Sequence, residues 1–423
     1  LKVKYKIILL KTLTIWYIYV IFSVSWISLK NIGNLKRIIL NRYVESEELM
    51  TNKRKIISIL VVVLVVFAGV FLFWRYKTST PSINTPKITE EERSKLAIGI
   101  VKTTNFTKKT TILGYDKDLN LITDIDFPFK NVGNFANHTT FNKDSYFGQV
   151  IGHAYKHNGK EILEVNLKDF SYKTYEVEPY ALNTIAENKT NVFGTTNSNG
   201  ISYITVTNKD NGKKKTIELK AEYISLSFAN DEHLFVISAK DDLTKESTIG
   251  ETHLYVYNND LELVKSIELE QYQFDRLSKI GNKYYFANGE NKDNKYMMYI
   301  FDENTFELEK VDIKTKNVVD VEISGDYYIL GSANFLPPYD GGITFKNIKT
   351  EEEIFHKLDT GATRMFKVDN FLYVYHKYEN NIDKIAKYEI NGTELKKIKE
   401  VEVKIDDVPN DNQFVTGMFL FEK

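Results

Sequence analysis

The sequence predicts an all-β fold: about seven blades of a β-propeller, preceded by an N-terminal transmembrane helix. Three observations predict it. The chain carries 27 Tyr and 26 Phe in 423 residues, and aromatic side chains favour pleated, half-buried surfaces. A strand–turn–strand pattern recurs seven times between residues 114 and 401. One uncharged run, Ile56–Trp74, precedes every copy.

The first element in chain order is the least ordinary. Residues 1–49 open on Leu1, and Met50 begins a Met-Thr-Asn-Lys-Arg-Lys pattern of the kind that precedes an anchor. Glu47-Glu48 are encodable by purine-rich codons resembling a bacterial ribosome-binding site. Translation is therefore expected to start at Met50, with residues 1–49 an upstream extension. The alternative is an extra span at Ile7–Leu29, interrupted by Lys11.

Residues 50–77 read as a cytoplasmic tip and an anchor. Ile56–Trp74 has nineteen residues, fifteen of them Ile, Leu, Val or Phe. That length crosses a hydrocarbon core of about 30 Å as a helix. At roughly −0.3 to −0.6 kcal/mol each, the fifteen favour insertion by about 5–9 kcal/mol. A core helix would keep a polar stripe. Lys53-Arg54-Lys55 outweigh Arg75 and Lys77, so the C-terminal part is expected outside the cytoplasm. No small-residue cleavage site follows the run, which predicts an uncleaved, single-pass anchor in the cell membrane. Residues 78–95 contain Pro81 and Pro86 and no apolar period, and read as a semi-extended stalk linker.

Residues 96–423 form the predicted propeller. The repeated unit is a strand ending in an apolar or aromatic residue, a tight Asp/Asn/Gly turn, and a charged strand. It appears from Gly114, Val165, Val206, Val256, Ile300, Phe345 and Tyr388, at steps of 41 to 51 residues. Such steps suit four-stranded blades. One such sheet cannot bury both faces alone, whereas a ring of them can. Earlier strands in the copies begin at Asp231, Gly281, Gly325 and Asp369, and the strands before these, such as DRLSKI and ATRMFKV, are assigned as innermost. The last segment, from Phe414, looks like inner strand without outer partners, so the C-terminus is expected to complete the first blade.

On these repeats the stretch 96–423 resembles bacterial membrane-anchored surface β-propellers of the YVTN-type and quinoprotein-like groups. The resemblance implies the fold. It implies no activity, because Trp16, Trp26 and Trp74 all precede the propeller. Tryptophan-based blade motifs and aspartate boxes are thus absent.

Composition narrows the function. No cysteine is present, which removes disulfides, thiolate metal sites and a cysteine nucleophile. Residues 78–423 hold 43 Lys/Arg against 54 Asp/Glu, the wrong sign for nucleic acid. His153 and His157 lie in a strand-and-turn pattern, where a four-residue spacing does not converge on zinc. No metal or other cofactor is expected. The second-to-third loops vary in length, and variable loops on a rigid scaffold carry binding. The candidate contact loop is Phe335, Leu336, Pro337, Pro338, Tyr339 and Asp340. Charged residues on predicted innermost strands, Asp275, Arg276, Asp320, Glu322 and Arg364, are candidates to line the channel. The expected function is a non-catalytic binding or scaffolding module that meets a protein or cell-envelope component on its loop face. The alternative is a hydrolase or lactonase-like enzyme using the acidic and arginine residues of the channel.

Overall fold

The computed structural model describes residues 88–133, 144–150, 161–177, 182–198, 200–241, 249–270, 274, 276–287, 296–334, 340–377, 382–408 and 411–421. The chain divides into two compact units, Leu1–Ser82 and Ile83–Lys423, and all described residues fall in the second. The expected spans at Ile56–Trp74 and Ile7–Leu29 therefore lie outside the described residues. Among the described residues no helix is long and apolar enough to cross a membrane.

Seven antiparallel sheets follow one another along the chain as the blades of a propeller. In blades 3 to 7 the strands run in order from channel to rim. The innermost strands are Leu182–Glu187, Glu222–Ala229, Ser278–Ile280, Val318–Ser324 and Ala362–Val368. Blade 2 contributes Ser145–Val150, Glu161–Asn166 and Tyr172–Glu176, with a bridge from Val132 to Val150 on its inner edge. Blade 1 is completed from the far end of the chain. Its strand Ile98–Thr104 pairs with Asp411–Leu420 on the inner side and Thr110–Tyr115 on the outer. The expected ring closure is present.

The local cause of the repeat lies in its turns. In six of the seven third-to-outer turns the first residue is Asp or Asn: Asp116, Asn166, Asn208, Asn258, Asp302 and Asn347. Each side-chain oxygen accepts a backbone N–H two residues on. Such a side chain imitates a turn of backbone. The seventh turn, Asn391-Gly392, uses Gly392 at φ 63°, where a Cβ would be strained.

Among the described residues seven apolar clusters hold the ring, one at each blade junction. Alternation within strands feeds them. In blade 4, Leu234 and Val236 pack towards blade 3, while Phe235 and Ile237 pack towards blade 5. Successive side chains point to opposite sheet faces, so a strand buried on both faces serves two junctions.

The end of the expected stalk differs from the sequence reading. Glu90–Lys95 is a short helix with a capping box: Thr89 Oγ1 accepts from the Glu92 N–H, and the Glu92 carboxylate accepts from the Thr89 N–H. The T-x-x-E pattern supplies its own cap. Arg93 donates to the Lys168 carbonyl in blade 2, and Ile88 packs against the blade 1–2 core.

Candidate functional site

The upper face is defined here by the blade connections and second-to-third loops, the lower face by the remaining turns. Inner strands run from upper to lower face, and among the described residues five of them carry a bulge: at Asn183, Ser225, Val319, Thr363 and Thr416. A bulge re-aims groups that a regular ladder would consume. The Asn183 carbonyl accepts from Gln149 of blade 2 at 2.6 Å, and Thr416 Oγ1 donates to the Val132 carbonyl at 2.6 Å.

The bulge at Val319 sets Asp320 among three blades. One carboxylate oxygen accepts from Ser278 Oγ of blade 5 at 2.5 Å. The other accepts from the Met365 N–H of blade 7 at 2.9 Å and lies 3.5 Å from Arg364 Nε. Ser278 Oγ in turn accepts from the Val321 N–H at 2.9 Å. Asp320 is only 4% exposed, so this carboxylate is dry and used.

Two residues below, Glu322 has a different environment. It accepts from the Lys367 N–H at 3.1 Å. Burial, with the Asp320 charge adding to it, pushes its carboxyl up to about 7. A cavity of about 590 Å³ runs from Asp320 and Glu322 past Arg364 and Lys367 to the lower-face turns at Leu167 and Gly281. Phe366 and Met418 supply apolar wall, and the Arg364 guanidinium lies 5.3 Å from the Phe366 ring centre.

Of the sequence candidates, Asp320, Glu322 and Arg364 are brought together at this cavity. Arg276 is not on the inner strand of blade 5 but two residues before it, and its guanidinium donates to the Thr363 carbonyl across blade 6. It fastens blade 5 to blade 7 above the cavity. Asp275 lies outside the described residues, as do Phe335, Leu336, Pro337, Pro338 and Tyr339.

Asp340, the described end of the candidate loop, accepts from Asn334 Nδ2, and Asn317 Nδ2 donates to Asn334 Oδ1 at 2.5 Å. These residues rim a second cavity of about 560 Å³ on the upper face of blade 6. Its other walls are the connection Lys314–Asn317 and the outer-strand residues Glu353, Phe355 and Lys357.

Sequence reasoning missed several polar residues. Ser278 and Lys367 sit on inner strands without a charge pattern to mark them. His376 is 2% exposed and contacts Tyr388 Oη at 3.2 Å; burial pulls its imidazole down to about 4. Asp383, beside the Tyr375 hydroxyl, is pushed up to about 6 by burial. A third cavity, of about 710 Å³, opens on the lower face with Asp144, Glu187, Asp231, Glu232 and Glu303 on its walls. Lys209 and Lys279 pair with Glu187 and Glu303 at 2.6 and 2.8 Å. Among the described residues no three His, Asp or Glu side chains converge as metal ligands.

No family model and no curated protein matches the sequence. Solved structures do match in shape. A Bacteroides fragilis protein provisionally assigned as a 6-phosphogluconolactonase superposes with a TM-score of 0.53 at 11% identity, over 78% of this chain and 98% of that one. A Bacteroides uniformis protein with the same provisional assignment gives 0.50 at 13% identity, over 77% and 99%. At such identity the likeness is one of fold, and fold does not carry activity with it. The comparisons and the ring of seven sheets agree on one statement: this chain carries a seven-bladed β-propeller.

Proposed function

We propose that this protein is a non-catalytic binding module, anchored in a membrane by Ile56–Trp74 with its propeller outside the cytoplasm. The anchor reading rests on the uncharged nineteen-residue run and the basic cluster before it. The non-catalytic reading is carried by one observation: both oxygens of Asp320 are committed to Ser278 and to the Met365 backbone. A carboxylate held by fixed donors from the blades on either side of its own is a fastener, whereas a catalytic base must be free to reach its substrate's proton.

Thermal melting of the full chain in detergent tests the proposal, with divalent metals, sugars, envelope fragments, lactones and esters as the panel. A ligand that binds only the folded state at 100 times its Kd stabilises by about 2.7 kcal/mol. A melting shift with no chemical change in the ligand supports a binding module. Turnover of a lactone or ester, lost on Glu322→Gln, would sink it.

One observation favours that second reading, a hydrolase working at the channel. Glu322 titrates near neutrality beside a cavity of about 590 Å³, and general acids and bases work best with pKa values near the operating pH. Arg364 and Lys367 stand close enough to the same cavity to hold an anionic substrate.

A further inference from the structure

We infer that the upper-face cavity of blade 6 is a binding site for an anionic saccharide. The inference rests on the binding-module reading and adds to it a place and a ligand class. Three features of the cavity converge on that class: charge, an exposed ring and size.

Lys314, Lys316 and Lys357 line the cavity, against the carboxylates of Asp340 and Glu353. Glu353 is already occupied. Its two oxygens accept from the Lys314 backbone N–H at 2.8 Å and from Thr315 Oγ1 at 3.1 Å. The buried Lys346 ammonium, 3.8 Å away, offsets its charge. Three ammonium groups then face one remaining carboxylate, Asp340. Lys316 lies 5.4 Å from the Tyr296 ring centre. Among the described residues the ammonium groups of Lys314 and Lys357 have no hydrogen-bond or ion-pair partner. A positive basin inside a concave wall focuses anions, and here it interrupts an outer domain in which acids outnumber bases, 54 to 43.

The ring is Phe355, 54% exposed on the outer strand. It stands where Gly342 leaves bare backbone: a Cβ there would lie 2.7 Å from Phe355 Cε2 and 2.2 Å from the His356 carbonyl. An aromatic face with negative potential attracts polarised C–H bonds, which a sugar ring presents on its apolar side. A bare inorganic anion would satisfy the lysines and leave Phe355 unused. An acyl chain would cover Phe355 and bury ammonium groups unpaired, at a cost. At about 560 Å³ the cavity falls within the range of roughly 300–1,000 Å³ typical of small-ligand sites.

The negative group on the sugar is a carboxylate or a phosphate, and calorimetry with the full chain separates them. Trigalacturonate carries the first, phosphorylated maltose the second; galactotriose and inorganic phosphate are the controls. At least one charged sugar should bind, at least about tenfold tighter than either control. Replacing Lys314, Lys316 and Lys357 together by Ser should weaken that sugar at least about tenfold, and so should Phe355→Ser alone. All four side chains are exposed, so these variants should melt with the parent. Binding that survives both variants, or that falls only in the lysine variant, would overturn the saccharide site. Binding of neither sugar would also overturn it, and a ligand found elsewhere in the melting panel would still uphold the binding module.

Discussion

Removing the carboxylate of Asp320 should cost this propeller a large part of its stability. The Asp320→Ala change deletes the acceptor for Ser278 Oγ at 2.5 Å and for the Met365 N–H at 2.9 Å, and takes from Arg364 its carboxylate at 3.5 Å. Hydrogen bonds to a charged group contribute about 1.5–3 kcal/mol each, and breaking a buried ion pair costs about 3–5 kcal/mol. The three contacts share one side chain and do not add fully, so about 4–6 kcal/mol is expected. Whole domains are stable by only about 5–15 kcal/mol. Asp320→Asn keeps one acceptor oxygen and should lose roughly half as much. Urea unfolding followed by the far-ultraviolet circular dichroism of the sheets measures it, since all three Trp precede the propeller. The midpoint should fall at unchanged slope. A loss below about 1 kcal/mol for Asp320→Ala, the size of an exposed pair, would refute the fastener reading.

Other perturbations probe closure and titration. Deleting residues 411–423 removes the inner strand of blade 1, and limited proteolysis should then find the whole propeller cleavable rather than a frayed end. Gly99→Ala places a Cβ 2.2 Å from Phe419 Cζ; it should destabilise by about 1–3 kcal/mol, with partial rescue by Phe419→Leu in a double-mutant cycle. Glu322 is held up at about 7 against an ordinary 4.5, so its ionisation makes the folded state less stable as pH rises from about 4.5 to 7. Glu322→Gln should therefore be more stable than the parent above pH 7, by up to about 3 kcal/mol, and no different near pH 4. His376 acts with the opposite sign. Held down at about 4 against an ordinary 6.5, it withdraws stability as pH falls from about 6.5 to 4, a loss that His376→Gln should abolish in denaturation series across that window.

The architecture was legible because its causes are local and repeated. Six of the seven blades advertise their outer turn by an Asp or Asn that makes its own turn, the seventh by Asn391-Gly392, and period-two alternation marks the strands on either side. The closure was legible too: the segment from Phe414 reads as inner strand with no partners after it, and the strand from Ile98 awaits one. The capping box at Thr89 and Glu92 is equally local, but it heads a helix of six residues without a buried face, so no apolar period announced it.

The site followed another logic. Arg276 and Arg364 look equivalent in the sequence, each in a segment assigned to an inner strand. Only the assembled ring separates them, placing one on the Thr363 carbonyl and the other beside Asp320. Ser278, Asp320 and Met365 lie more than forty residues apart and meet because a bulge at Val319 shifts the facing of one strand. The lysines of the blade 6 cavity come from a blade connection and an outer strand, and their surplus charge emerges only once Lys346 is seen to offset Glu353. By itself the sequence determined the blades, their number and their closure, since turns and strand alternation act between near neighbours along the chain. The tertiary structure alone decided which charges are spent and which remain, because electrostatic pairing depends on distances between blades that no local pattern records.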